Sequence, residues 1–409
     1  MKNKDTAVTS DRYKQYKLHS AFQPIISIPH RRPVGYEGLI RAHTDEGEQC
    51  SPFDLFMQPK SSEEHLELDR ICRRLHMANY SRQNADTEWL FINLDSQCLA
   101  EEKPKPGFMD GLFSLHNISP HRVVIEILES EISDRDYLKS LILHFRSMGC
   151  LIAIDDFGAG HSNFERIWEL EPDIVKVDRR LVERAANSAK VKRILSGMVS
   201  LIHQAGSLVI IEGVETEKEA DVAIAVNADM VQGFYFARPN AIIQQQNEQV
   251  DNAISRLIQL QLERKGEKSN TFSKQFPQFK KLFKDTLHNF SELSQFELCA
   301  NKILSEAKSV RCFLLDEAGN QIGDSRYSSG SKRHLDERFT PLLSGEYANW
   351  SHKHYHHHAI SSPGRIQMTR PYLSIAGSQM CITISKAVKI DGKLFVFCCD
   401  LNWKDDYDS

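Results

Sequence analysis

The sequence predicts an α/β chain built as a TIM-type (β/α)8 barrel followed by a smaller α+β unit. Three observations carry this expectation. Between about residues 20 and 240, short β-branched runs alternate with longer segments of helical period, as strands and crossover helices do. Polar residues fall at the C-terminal ends of several of those runs; a closed barrel gathers such ends around one mouth, whereas an open doubly wound sheet spreads them apart. Beyond residue 310 the texture changes to strands and tight turns.

The expected barrel strands are, in order, SAFQPIISI, VGYEGLIRAH, WLFINLD, RVVIEIL, CLIAIDDF, DIVKVD, SLVIIEGV and MVQGFYF, several of them nearly continuous in apolar residues, as parallel strands covered on both faces are. Between them EEHLELDRICRRLHMANYS, DRDYLKSLILHFRSMG and SAKVKRILSGMVSLIHQAG repeat apolar residues at spacings of three and four, and Gly149 and Gly206 stand where helices should end. Val250, Ala253, Ile254 and Leu257 mark a linking helix, and Phe272, Phe276, Phe279 and Phe283, interrupted by Pro277, read as a core seam. The runs RCFLLDEAGNQIG, QMTRPYLSI, QMCITISKAV and GKLFVFCCDLNW, with turn signals at Gly319-Asn320 and Asp391-Gly392, predict a small antiparallel sheet. The expected units are residues 1–240, a link over 241–270, and 271–409.

Charge and composition narrow the function classes. With 51 Lys and Arg against 55 Asp and Glu, the net charge of -4 draws the chain toward neither a nucleic-acid polymer nor an anionic membrane. No apolar run approaches the roughly 18 residues of a spanning helix, and the first twenty residues lack the core of a signal peptide, so a cytoplasmic protein without membrane insertion is expected. Nine cysteines with no CxxC pair argue against a disulfide framework or structural zinc, and Cys398 and Cys399 should point to opposite faces of a strand.

The chemistry concentrates at the strand ends, where Glu37, Asn93, Glu126, Asp155, Asp156, Lys176, Glu212 and Gln232 stand. Two carboxylates about 4 Å apart repel by roughly 4 kcal/mol at an effective dielectric near 20. A hard divalent ion removes that penalty, and carboxylates with an Asn carbonyl are the oxygen donors that Mg²⁺ or Mn²⁺ prefers. An aspartate such as Asp155 can bridge two ions, and a pair of ions suits phosphoester hydrolysis. Lys176 adds a fixed positive charge that can orient a water or stabilise a phosphate oxygen; Glu212 can accept a proton or bind the second ion. Singly, each position has a structural explanation. Asp155-Asp156 can end a strand, Lys176 can pair with Asp178, and Glu212 and Glu215 can cap a helix beginning near Thr216. The Asp156-Phe157-Gly158 triplet also occurs in protein kinases, but no HRD loop or Gly-rich ATP loop accompanies it. Their joint placement favours a site.

Taken in order, Ala21-Phe22-Gln23-Pro24-Ile25, Glu37-Gly38-Leu39 with Arg41, Asn93, Glu126, Asp155-Asp156-Phe157-Gly158, Lys176-Val177-Asp178, Glu212-Gly213-Val214-Glu215, Gln232-Gly233 and Arg238-Pro239 resemble the EAL-domain phosphodiesterases of bacterial cyclic di-GMP signalling. The resemblance implies that Glu37, Asn93, Glu126 and Asp155 hold one Mg²⁺ or Mn²⁺, and that Asp155, Asp156 and Glu212 serve a second. It implies that Lys176 and Glu212 assist the hydrolytic water, with Gln232 positioning water or metal. Arg41 would contact a phosphate, Gln23, Leu39 and Pro239 would lie near the dinucleotide, and Glu215 would hold the loop after Asp156. The implied reaction opens cyclic di-GMP to linear pGpG by metal-activated water, in a homodimer; the competing function is a receptor that binds the dinucleotide without cutting it. Two departures stand out: Gly38 replaces the usual alanine, which should add backbone freedom, and the loop 157–164 lacks the usual aromatic and paired serines. No GGDEF-type motif is present, so no cyclase activity is expected.

The C-terminal run TRPYLSIAGSQMCITISKAVKIDGKLFVFCCDLNW resembles Cache or PAS-like sensory sheets, which implies a regulatory domain with an unidentified small-molecule ligand; a dimerisation module is the alternative. His352, His354, His356, His357 and His358 read as a solvated polar loop, since no Cys or carboxylate stands beside them at metal-ligand spacing.

Overall fold

The structure, a computed structural model, describes residues 9–83, 87–94, 108–128, 135–159, 165–243, 248–264, 277–329, 338, 348–369, 371–374 and 379–403. The first sheet contains β1 (Ser10–Tyr13), β2 (Tyr16–Ser27), β3 (Arg32–His43), β4 (Gln49–Cys50), β5 (Trp89–Leu94), β6 (Val123–Leu128), β7 (Leu151–Phe157), β8 (Ile174–Val177), β9 (Leu208–Ile211) and β10 (Met230–Val231). Pairing runs β2-β10-β9-β8-β7-β6-β5-β3, and β3 pairs back onto β2, so eight strands close a barrel. All eight expected strands are present.

One expectation needs correction. The barrel is not wholly parallel, because β2 runs antiparallel to both of its neighbours, β3 and β10. Only residues 28–31 join β2 to β3, with Arg31 in the left-handed region at φ 53°. A link that short makes a hairpin and leaves no room for a crossover helix.

The helical layer comprises α1 (Pro52–Phe56), α2 (Ser62–Ser81), α3 (Phe108–His116), α4 (Arg135–Met148), α5 (Glu165–Leu170), α6 (Arg179–Asn187), α7 (Ala189–Gln204), α8 (Glu217–Ala225) and α9 (Glu248–Arg264). Gly149 and Gly206 take φ of 99° and 89° just past α4 and α7, the left-handed conformation that ends helices. The expected linking helix α9 docks on the barrel: Val250, Ile254, Leu257 and Ile258 join the cluster around Ala220 and Val222, and Arg31 donates to Ser255 at 2.8 Å.

The remaining elements are α10 (Pro277–Thr286), α11 (Phe296–Leu304), β11 (Ser309–Asp316), β12 (Gln321–Tyr327), α12 (His354–Ser361), β13 (Ile366–Met368), β14 (Tyr372–Ser374), β15 (Gln379–Ile390) and β16 (Lys393–Asn402). They build an antiparallel sheet ordered β12-β11-β16-β15-β13, with β14 on β15. Asp391 and Gly392 take φ of 49° and 83°, the two positive values a tight hairpin needs, and Ile390 pairs with Lys393. Pro277 opens α10, where its missing N–H costs nothing; Phe283 packs edge-on against Phe397, while Phe272 and Phe276 lie outside the described residues. Cys398 and Cys399 do face opposite sides, one toward Val396 and the barrel, the other toward Phe397 and α10.

The histidine run is not a solvated loop. His354 to His358 form the first turns of α12, with His352 and His356 buried and His356 Nε2 3.0 Å from the Asp316 carbonyl oxygen. Tyr355 and Ala359, at a spacing of four, bury the helix against the sheet, which a reading by histidine content alone passes over.

Candidate active site

Alternation along the strands places the functional side chains. Phe91, Val124, Ala153, Ile174, Ile210 and Met230 belong to one apolar cluster inside the barrel, whereas Ile92, Ile125, Ile154, Val175 and Ile211 pack outward under the helices. Two residues beyond each inward member comes a polar group: Asn93, Glu126, Asp155, Lys176, Glu212 and Gln232. A strand repeats its face every second residue, so these groups share one inward-facing layer above an apolar floor. On β3, Gly35 lies against the Phe91 ring, and Glu37 follows two residues later.

Lys176, only 1% exposed, stands at the centre of that layer. Its Nζ lies 2.5 Å from Glu126 Oε1, 2.7 Å from Glu212 Oε1, 3.3 Å from Asp155 Oδ1 and 3.5 Å from Glu37 Oε2. Gln232 Nε2 donates to Glu37 Oε2 at 2.6 Å, and Asn93 Nδ2 donates to Glu37 Oε1 at 3.0 Å. Asp156 would point outward on a regular strand. Instead it takes φ 56° at a register shift in β7, and one carboxylate oxygen each from Asp155, Asp156 and Glu212 lies within 4.8 Å of the others.

Five carboxylates here face one ammonium. Burial first, then Glu37, pushes the Glu126 carboxyl well above the usual range. Burial and Asp155 push Glu212 up as well, and the same two causes raise Asp156. Burial would lower the Lys176 ammonium, but the surrounding carboxylates, led by Asp155, outweigh it and raise it.

The donor set fits divalent cations. All its donors are oxygens apart from Lys176, and among the described residues the buried Glu126 Oε2 has no hydrogen-bond partner.

A cavity of about 300 Å³ opens over this layer, lined by Gln23, Glu37, Leu39, Asp155, Lys176, Glu212, Glu215 and Gln232. Of the expected substrate residues, Gln23 and Leu39 therefore reach it. Arg41, on the same face of β3 as Glu37 and Leu39, and Pro239, beside the Asn240 bridge to Phe22, lie outside its lining. The structural explanations are also resolved. Asp178 caps α6 and pairs with Arg180, and Thr216 with Glu219 forms the capping box of α8, leaving Glu212 to Lys176 and Glu215 to Arg179.

Two lining residues carry no signal of their own in the sequence: Arg179, which grips Glu215 at 2.6 and 2.8 Å, and Phe234. Gly213, at φ 59°, lies so close to Arg179 that a Cβ would sit 2.5 Å from it. Loop residues 160–164 lie outside the described residues.

Residues 8–239 match the family model described as EAL domain. The chain belongs to the EAL domain family. PdeB of Escherichia coli K12, named as a probable cyclic di-GMP phosphodiesterase, is 28% identical over 204 residues, covering 49% of this chain and 38% of PdeB. The chain thus spans well under half the length of that relative. YkuI of Bacillus subtilis 168, an uncharacterised EAL-domain protein, is 25% identical over 345 residues, 82% of each chain. The solved structure of YkuI in complex with cyclic di-GMP and calcium matches 95% of this chain and 97% of its own at a TM-score of 0.53 and 22% identity, a likeness of fold. Klebsiella pneumoniae BlrP1, solved with manganese and cyclic di-GMP at pH 9.0, is 27% identical over 56% of this chain and 60% of its own, with a TM-score of 0.50.

Proposed function

We propose that this chain hydrolyses one phosphodiester of cyclic di-GMP to linear pGpG at the mouth of its EAL barrel. The observation that carries this reading is the surplus of buried carboxylate around Lys176, with Glu126 Oε2 accepting no hydrogen bond among the described residues. Glu37, Asn93, Glu126 and Asp155 would hold one Mg²⁺ or Mn²⁺, and Asp155, Asp156 and Glu212 a second. Bound there, the ions would supply Lewis acidity toward a phosphate oxygen and a water of lowered pKa.

The side chains do the rest. Lys176 holds Glu212 at 2.7 Å and keeps a proton donor inside the layer, where it can stabilise charge on a phosphate oxygen. Glu212, beside Lys176 and lining the cavity, is placed to accept the proton of an attacking water. Gln232 fixes Glu37, and Gln23 and Leu39 form the wall against which a nucleotide would lie. Arg41 would contact a phosphate, Pro239 would flank the dinucleotide, and Glu215, clamped by Arg179, would steady the loop after Asp156. Water adds to phosphorus as the ribose oxygen leaves and takes up a proton.

The wider reading places the catalytic unit in residues 1–240, a link in 241–270, and a Cache or PAS-like regulatory unit in 271–409, in a cytoplasmic homodimer. The antiparallel sheet supports the second unit, and no described helix is long and apolar enough to cross a membrane. Exposed Leu143 on α4 and Trp168 on α5, helices tied together by Arg146 donating to the Leu170 carbonyl, offer an apolar surface for a second copy.

Incubating the full chain with cyclic di-GMP and Mn²⁺ and separating the nucleotides tests the reading. Linear pGpG is expected, with at least a hundredfold loss in Glu37→Ala. Saturable binding with the dinucleotide recovered intact would instead establish a receptor.

A further inference from the structure

A second cavity, of about 640 Å³, lies far from the barrel mouth, at the seam between α7 and the start of α12. That volume is typical of small-molecule sites. Its lining includes Lys353, three histidines and the aromatic side chains Tyr355 and Tyr372, and no Asp or Glu among the described residues. Lys353 is 4% exposed. Among the described residues its ammonium makes no hydrogen bond, and its closest carboxylate, Asp229 Oδ1, is 3.9 Å away. Asp229 accepts from His203 Nε2 at 2.8 Å and the Val209 amide at 2.9 Å through Oδ2, while Oδ1, the oxygen nearer Lys353, makes no hydrogen bond among the described residues, so the pair is a long ion pair and not a hydrogen-bonded one.

Two further features point the same way. Lys353 is the N-cap of α12, and among the described residues no side chain caps that helix, so its positive end lies open beside the cavity lined by Lys353 and His354. On the opposite wall Gly197 sits in the interior of α7, with nothing within 4 Å of where a Cβ would stand. Glycine weakens a helix interior, and here no crowding requires it; Gly197 is exposed, so it lies at the open rim of the cavity, where a larger side chain has room to lean across the opening.

We infer that this seam is a binding site for a small organic anion, a carboxylate or phosphate on an aromatic body, with the anionic group on Lys353 and the helix end and the ring beside Tyr355 and Tyr372. The inference needs neither the phosphodiesterase reading nor a sensory-domain assignment. Burial already pulls the Lys353 ammonium below its ordinary range, with Asp229 offsetting only part of this, and an anion in the cavity would supply a closer partner than Asp229.

The test uses the full chain with benzoate and phenyl phosphate as probes, and benzyl alcohol as the uncharged control, read by calorimetric titration. At least one anion is expected to bind saturably with roughly millimolar affinity or better, and the alcohol at least about tenfold more weakly. Lys353→Gln should weaken the anion about tenfold or more. Gly197→Leu fills the open space without touching Lys353 and should abolish binding; it decides the matter if Lys353→Gln fails to fold. No saturable binding of either anion, equal binding of the alcohol, or unchanged affinity in Gly197→Leu would overturn the site.

Discussion

Lys176 is surrounded by Glu37, Glu126, Asp155 and Glu212 at 2.5 to 3.5 Å, so its charge holds together groups that otherwise repel. Removing one partner from a buried ionic cluster typically costs about 3 to 5 kcal/mol. Lys176→Met should lose stability on that scale in denaturant unfolding of the metal-free chain, and Mn²⁺ should restore more of it than the ion adds to the unaltered protein. An unchanged midpoint would mean that the acidic layer carries no strain. Gly38 teaches a different lesson. Read from the sequence, its missing methyl means backbone freedom, yet Gly38 is not among the residues with positive φ, and a Cβ there would stand 2.9 Å from His76 Cγ. The absent methyl makes room for the buried His76 ring, which meets Ser20 Oγ at 2.9 Å. Gly38→Ala should therefore destabilise by about 1 to 3 kcal/mol in thermal or chemical unfolding, with little change in cyclic di-GMP turnover. The contact was hidden from the sequence because it joins residues on separate elements.

At the scale of elements, the site was legible because a strand shows its repeat openly. Phe91 to Asn93, Val124 to Glu126 and Ala153 to Asp155 each step from floor to mouth, and local order alone conveys that. Asp156 broke the pattern. Its left-handed φ of 56° and the register shift in β7 turn a side chain that should face outward toward Glu212, and nothing in the local sequence announces this. A non-glycine residue held there costs roughly 1 kcal/mol or somewhat more. Asp156→Gly should leave folding stability equal or higher by up to about that amount while weakening Mn²⁺ binding, a trade measurable by unfolding and metal titration on the same samples. The antiparallel direction of β2 is hidden for a related reason: strand content is a local property, whereas the short link over residues 28–31 sets direction. The helix α12 was missed because its burial depends on Tyr355 and Ala359 meeting a distant sheet.

Across the whole molecule one apolar cluster runs from the inside of the barrel, through Ile25, Trp89 and Leu151, to Phe313, Trp350 and Val396 of the second sheet. Backbone and side-chain bonds cross the same boundary: the Asn349 amide donates to the Pro29 carbonyl oxygen at 2.9 Å, and Trp89 Nε1 donates to that of Arg338 at 2.6 Å. The sequence displayed two units by their texture but not this shared core, since packing between distant segments leaves no period. Trp350→Ala should cost about 3 to 5 kcal/mol and lower the melting of barrel and sheet together in one calorimetric transition; two separated transitions would mean that the units are independent. At the barrel mouth, the proposed activity requires the acidic layer to seat divalent ions beside a cyclic dinucleotide. Turnover of cyclic di-GMP by the metal-stripped full chain, with Mn²⁺ returned in steps, tests this most directly. The expected result is no linear product without the ion, and product rising more steeply than linearly at limiting Mn²⁺; equal cleavage in the presence of chelator, or intact dinucleotide at saturating Mn²⁺, would contradict it.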